Sequence, residues 1–189
     1  MSDYLLTLPT DLPVPEDDGA CDHLPGVRVP PLVLPSSQGL VDLAELAAGS
    51  AVLYVYPRTG RPGRPVPDGW DAVPGARGCT PQSCAFRDHV EEFEKLGVRV
   101  AGVSAQPLAE QQEVGERLQL PYPVIADPEF RLARELGLPT FTFNDVELYK
   151  RVTLVLEQGV VEKAFYPVFP PDRNAADVVA WLTEREGRA

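Results

Sequence analysis

Ala51-Val-Leu-Tyr-Val-Tyr56 is an unbroken β-prone apolar run, the pattern of a strand covered on both faces in the middle of a parallel sheet. It stops at Pro57. From Pro57 to Pro81 the chain carries six Pro and five Gly in 25 residues, which forbids regular helix or strand and predicts one long irregular loop. Loops of that length are uncommon without a function. Pro81 suits a first helical turn and Thr80 is placed to cap it, so a helix is predicted from about Pro81 to Leu96. Phe86, Val90, Phe93 and Leu96 recur on its inner face, and Glu91 and Lys95 form an i, i+4 pair on another. Val98 to Ala105 reads as a second buried strand, residues 108 to 118 as a polar helix, Tyr122 to Asp127 as a third strand and Phe130 to Leu136 as a short helix. Arg151 to Leu156, a turn at Gln158-Gly159 and Val160 to Val168 read as an antiparallel hairpin, and Ala175 to Glu186 as a closing amphipathic helix with Val178, Val179 and Leu182 inward.

Alternating strands and helices followed by a hairpin and a helix imply an α/β architecture: a mixed central β-sheet flanked by helices on both faces, in the outline of a thioredoxin-like fold. Residues 1 to 26 are rich in Pro, Asp and Gly and read as a lead-in that packs onto the domain. The domain itself is expected over 27 to 189. At 189 residues the chain has the size of one domain with a substantial core.

Seventeen basic against 28 acidic residues leave a net charge of −11, which argues against a broad phosphate-binding surface and so against nucleic acid as a partner. The longest uncharged stretch, Val29 to Val41, is broken by three prolines and is far below the roughly 18 apolar residues of a membrane span, so no membrane partner is expected. The first 20 residues lack a basic start followed by an apolar block, and a cytoplasmic location is expected. Three cysteines in such a chain point to redox or metal chemistry rather than a disulfide framework.

Gly78-Cys79-Thr-Pro-Gln-Ser-Cys84 puts Cys79 just ahead of the predicted helix, where free amides and the helix dipole favour a negative sulfur. At roughly 100° per residue Cys79 projects close to Phe86, toward the core, and Cys84 about 160° away from it. Five helical residues rise about 7.5 Å, beyond the roughly 4.4 to 6.8 Å between Cα atoms that a disulfide tolerates. Joining the two sulfurs requires the start of the helix to unwind.

Tyr56-Pro57-Arg58-Thr59 before the loop, Gly78-Cys-Thr-Pro-Gln-Ser-Cys-Ala-Phe-Arg-Asp88 after it and Arg151 opening a late strand together resemble peroxiredoxins of the bacterioferritin-comigratory, or Q, type. The order of elements from about Val27 to Glu186 is similar too. The resemblance implies a thiol peroxidase reducing hydrogen peroxide and organic hydroperoxides, with Cys79 as the peroxidatic cysteine and Cys84 as the resolving one. Arg151 then matches the family's arginine that stabilises the reacting oxygens, and Gln82 a polar residue many members carry three positions after the cysteine. Thioredoxin or a similar dithiol would be the reductant, no metal or organic cofactor is implied, and a monomer is expected.

One departure stands out. The family's proline seven residues before the cysteine and threonine three before it are replaced by Ala72 and Ala76. An inserted loop over about 58 to 78 accounts for this, with Pro57 and Thr59 ahead of its Pro- and Gly-rich stretch returning in space to serve in their place. The inserted loop carries Arg58, Arg61, Arg64 and Arg77 against Asp68 and Asp71. It reads as a solvated loop or as a lid over the cleft, with Trp70 as the lid's apolar anchor.

Two other readings stay open. Cys21, His23, Cys79 and Cys84 supply four zinc ligands by type, though neither C-x-H nor C-x4-C is a usual zinc spacing. A thioredoxin-like protein with disulfide-exchange or binding activity but no peroxidase turnover is the other. Otherwise Cys21 reads as a passive thiol or a second resolving cysteine, and His23 and His89 as surface imidazoles.

Overall fold

The chain, in a computed structural model that describes residues 3–187, opens with a short helix α1 (Asp3–Leu6) and a long irregular lead-in. A hairpin of β1 (Val33–Ser36) and β2 (Gly39–Asp42) follows, then α2 (Leu43–Ala47) and the apolar strand β3 (Ser50–Val55). Past the Pro- and Gly-rich loop come α3 (Cys79–Asp88), α4 (Val90–Lys95), β4 (Val98–Ser104), α5 (Leu108–Leu118), β5 (Val124–Ala126) and α6 (Arg131–Leu136). The chain closes with two hairpins, β6 (Thr140–Phe143) with β7 (Val146–Tyr149) and β8 (Val152–Glu157) with β9 (Val160–Phe165), and the helix α7 (Asn174–Glu186).

Seven strands form one sheet in the order β2-β1-β5-β4-β3-β8-β9. β3 runs parallel to β4 and antiparallel to β8, so its residues are paired on both sides. This central position is why it needs no polar face. Alternation along β3 splits the core. Ala51, Leu53 and Val55 face a layer with Leu43, Leu132 and Leu136, whereas Val52, Tyr54 and Tyr56 face Phe86, Phe93, Val114 and Val178. The Tyr54 and Phe86 rings stack at 4.5 Å between centroids, 8° from parallel, and fix α3 against the sheet. This is the expected thioredoxin-like arrangement of a mixed sheet with helices on both faces.

The predicted helix over Pro81 to Leu96 is two helices. Backbone angles of −99° and 6° at His89 end α3, and the His89 ring Nδ1 donates to the Ala85 carbonyl at 2.8 Å, competing for a helical acceptor. The inward row Phe86, Val90, Phe93 crosses this break, which is why periodicity alone reads through it. The helix also begins two residues earlier than expected. Gly78, not Thr80, occupies the cap, with φ 103°, and Thr80 lies buried inside the first turn with no capping role.

Three elements carried no signal in the hydrophobic pattern: the β1/β2 hairpin, α2 and the β6/β7 hairpin. The first holds Pro35 in a four-residue strand, and α2 is barely more than a turn, capped by the Asp42 carboxylate accepting from the amides of Ala44 and Glu45. The β6/β7 turn uses Asn144 and Asp145 at φ 49° and 61°, the positive angles a tight hairpin demands. The lead-in does more than rest on the domain. Leu24 is fully buried, and Gly26 and Val27 exchange backbone hydrogen bonds with Val161 at 2.7 and 2.8 Å.

Candidate active site

Cys79 is the first residue of α3, and both it and Cys84 lie within that helix as free thiols. The sequence-based expectation that the helix separates the two sulfurs therefore applies to the whole segment. Gly78 is required here on two grounds. Its φ of 103° is in the left-handed region, and a Cβ at this position would run into the Pro171 ring and Leu8. Cys79 is 3% exposed and lines a cavity of about 290 Å³ walled by α3 on one side and the inserted loop on the other.

Arg151 immediately precedes β8 and is buried. Its Nη2 donates to the Cys79 sulfur at 3.2 Å and also reaches the carbonyls of Ala76 and Arg77, at 3.2 and 3.1 Å. Its Nε donates to the Gly75 carbonyl at 3.3 Å, and its Nη1 to the side-chain oxygen of Gln82. A guanidinium held by four partners is pre-organised toward the sulfur and cannot swing away without losing several charged hydrogen bonds. The first helical turn offers no side-chain cap, so its amides add to the positive potential at the same point.

Gln82 is fully buried rather than a surface residue. Its amide donates to Asn174 Oδ1 at 3.0 Å, and Thr153 donates to the same oxygen at 2.7 Å, so α3, α7 and β8 meet in one polar network behind Arg151. Gln82 touches Arg151 and is not among the cavity's walls, so it reaches the site only through the arginine. Asn174 and Thr153 carry no sequence motif and emerge only from the fold.

Thr59 does reach the site. It lies on the wall of the same cavity as Cys79, 4% exposed, and the buried Gln106 holds it. The Thr59 amide donates to Gln106 Oε1 at 2.7 Å and its hydroxyl to the same oxygen at 3.1 Å, while Gln106 Nε2 donates to Glu110 at 2.6 Å. With its hydrogen committed to Gln106, the Thr59 oxygen keeps lone pairs free to accept a bond from a bound molecule. Pro57, by contrast, is buried where the chain leaves β3 and takes no part in the cavity wall. The backbone is still tied to the sheet at Tyr56, whose amide bonds the Val103 carbonyl at 3.0 Å, and the wall starts one residue beyond Pro57, at Arg58.

The inserted loop is seated on the protein at Trp70 and Ala76, while residues 62–65 at its tip are exposed. Trp70 is 5% exposed and packs edge-on against Phe143 at 5.1 Å, with Phe141 and Leu148 completing a small third core under the β6/β7 hairpin. Ala76 belongs to this core, and its carbonyl accepts from both Arg151 and the Cys79 thiol. The hairpin thus fixes the loop that fixes the arginine.

Cys84 is half-buried beside the same layer as Phe86. Burial pushes its thiol above the ordinary value; Arg87 and Arg117 pull it back in part, and Asp88 adds to the rise.

The four zinc-type residues do not meet. Cys21 lies in the core layer with Leu24 and Leu132, across the sheet from Cys79, and His23 donates from Nε2 to the Leu136 carbonyl at 2.8 Å. No cluster of three or more metal-ligating side chains occurs among the described residues. The same separation removes Cys21 as a second resolving cysteine. Its thiol is pushed up to about 12, first by burial and then by Asp18, Asp17 and Asp22.

Comparison with known proteins places this geometry. A model of the redoxin family, described as Redoxin, matches residues 24–180. The chain is 29% identical over 186 residues to the chloroplastic peroxiredoxin Q of Gentiana triflora, covering 95% of this chain and 78% of that one. It is 30% identical over 159 residues to that of Sedum lineare, covering 83% and 76%. Among solved structures, Peroxidoxin BcpB from Mycobacterium tuberculosis superposes with a TM-score of 0.70 at 25% identity, over 86% of this chain and 98% of that one. Peroxiredoxin Q of Xanthomonas campestris superposes with a TM-score of 0.66 at 23% identity, over 93% and 98%, a likeness of fold.

Proposed function

Because this chain belongs to the redoxin family, and within it to the peroxiredoxins of the bacterioferritin-comigratory or Q type, we propose that Cys79 is its peroxidatic cysteine and Cys84 its resolving one. The protein is a peroxiredoxin, a thiol peroxidase. The observation that carries the assignment of Cys79 is the 3.2 Å contact from Arg151 Nη2 to the sulfur of a residue that lines a cavity.

In this reading the Cys79 thiolate attacks the nearer oxygen of a hydroperoxide. A sulfur–oxygen bond forms as the O–O bond breaks, the sulfur is oxidised to a sulfenic acid, and the leaving oxygen takes a proton to depart as water or an alcohol. Arg151 is aimed at the charge moving between sulfur and oxygens, and the Thr59 oxygen accepts from the peroxide O–H to orient it. Gln82 acts through Arg151. The first turns of α3 then unwind, the Cys84 thiolate attacks the sulfenic sulfur, and water leaves as the Cys79–Cys84 disulfide forms. A thioredoxin-type dithiol returns both thiols by exchange and is itself oxidised.

An odd count of three cysteines, two of them used in this cycle, suits a reducing compartment such as the cytosol. No helix among the described residues is long and apolar enough to cross a membrane.

The test is peroxide consumption by reduced protein. Two thiols should be lost per peroxide, Cys79→Ser should abolish consumption, and Cys84→Ser should allow a single turnover that stops at the sulfenic acid. Undiminished consumption by Cys79→Ser would refute the assignment.

A further inference from the structure

The cavity in front of Cys79 is larger and more positively charged than a hydrogen peroxide molecule requires. Its volume is about 290 Å³, whereas a water in the liquid occupies about 30 Å³ and hydrogen peroxide holds only two oxygens. Much of the wall is apolar, from Leu5, Pro65, Val66, Pro67, Trp70 and Pro81. An organic group can fill it.

Charge is distributed unevenly around this cavity. In a chain of net charge −11, four arginines line it, Arg58, Arg61, Arg64 and Arg77, against one carboxylate, Glu110. Arg77 is buried and engaged by Asp71 at 3.6 Å and by the Thr7 carbonyl at 3.3 Å, so it belongs to the wall's structure. The other three lie earlier in the same inserted loop. Arg61 lies 3.6 Å from Glu110, a loose contact, and its Nε is buried with no hydrogen-bond acceptor among the described residues. Arg58 lies over the Trp70 ring at 5.8 Å, and neither it nor the exposed Arg64 has a carboxylate partner among the described residues. Glu110 is also held by Gln106, which leaves it poorly placed to neutralise three guanidinium groups.

We propose that Arg58, Arg61 and Arg64 form an anion subsite on the inserted loop, and that the preferred substrates are compact organic hydroperoxides bearing a carboxylate. The peroxide end meets Cys79, the hydrocarbon body packs on Trp70 and the prolines, and the carboxylate takes the donors the three arginines present. Guanidinium groups suit this task because their forked donors match a carboxylate's two oxygens. The subsite also offsets the repulsion that an acidic protein exerts on an anionic substrate. At about 290 Å³ the cavity holds a body of one ring or a short chain, not a long acyl tail.

The inference rests on the peroxidase reading, and a matched substrate pair separates the two. Cumene hydroperoxide and its para-carboxylate differ in one charged group. Second-order rate constants for oxidation of the reduced full-length protein are measured with both, at low and high salt. The wild type should react about tenfold faster with the carboxylate at low salt, equivalent to about 1.4 kcal/mol, and the ratio should shrink as salt rises. Arg64→Gln and Arg61→Gln should each move the low-salt ratio toward one. A wild-type ratio of one or less, or a ratio unchanged by salt and by both substitutions, overturns the subsite. Consumption of neither hydroperoxide while hydrogen peroxide is still consumed overturns the subsite alone, and consumption of none of the three overturns the peroxidase reading and the subsite with it.

Discussion

The hydroxyl of Thr59 donates to Gln106 Oε1 at 3.1 Å, a bond between the first residues of the inserted loop and the segment after β4. Through it, a threonine twenty positions ahead of Cys79 is held on the wall of the cavity that Cys79 shares. Gln106→Leu should free the Thr59 hydroxyl to rotate and lower the rate constant of peroxide reduction by about tenfold, the order of one hydrogen bond to a reacting group. Disulfide formation after oxidation should be unchanged. Stopped-flow fluorescence with hydrogen peroxide separates the two phases, and equal slowing of both would mean a general structural defect instead.

Unwinding of α3 works against two tyrosines. Tyr122 donates to the Ser83 carbonyl at 2.8 Å and Tyr54 donates to the Ser83 hydroxyl at 3.1 Å, pinning the residue next to Cys84. Tyr122→Phe removes the bond to Ser83, together with the 3.2 Å contact between the Tyr122 and Tyr54 hydroxyls, with little change of shape. A net hydrogen bond contributes about 0.5–1.5 kcal/mol, so disulfide formation should speed up roughly two- to tenfold while the protein's Tm falls by a few degrees. A rate that slows would show that Ser83 keeps its place during resolution.

The raised Cys84 thiol sets a pH dependence for resolution. Burial makes the folded protein hold this proton more tightly than the unwound helix does, so the associated stability is full below the ordinary thiol value near 9.0 and is lost as pH rises through the higher folded one. Rising pH therefore favours both unwinding and the attacking thiolate. The rate of disulfide formation should climb steadily between about pH 7 and 9. A rate already flat across this range would contradict the assignment.

Gly78 should tolerate no side chain. Gly78→Ala forces a left-handed conformation worth about 1–2 kcal/mol and drives a methyl group into Pro171 and Leu8. Thermal unfolding should begin several degrees lower, and peroxide reduction should weaken because α3 starts from a displaced turn. A variant with wild-type Tm and rate would show that this turn has room to adjust.

Much of this site lay open in the sequence because its signals are local. Cys79 beside a helix start, Cys84 five residues on and Arg151 at a strand's edge each carry a motif or a periodicity. What stayed hidden depends on side chains that meet only after folding. Gln106, Asn174 and Thr153 belong to ordinary stretches of loop, helix and strand, and their role comes from buried contacts that composition does not encode. Gln82 was legible as a position but not as a buried link to Arg151. The inserted loop shows the limit most clearly, since Pro and Gly forbade regular structure there without indicating that Trp70 would seat it on the β6/β7 hairpin. That hairpin was itself missed, because Asn144-Asp145 is a weaker turn signal than a glycine-bearing pair.

The most direct test of the central claim is the intact mass of reduced protein after one equivalent of hydrogen peroxide, followed by peptide mapping. The expected result is a loss of two hydrogens, mapped to a bond between Cys79 and Cys84, and in Cys84→Ser the gain of one oxygen on Cys79. An unchanged mass, or a bond that includes Cys21, would contradict it.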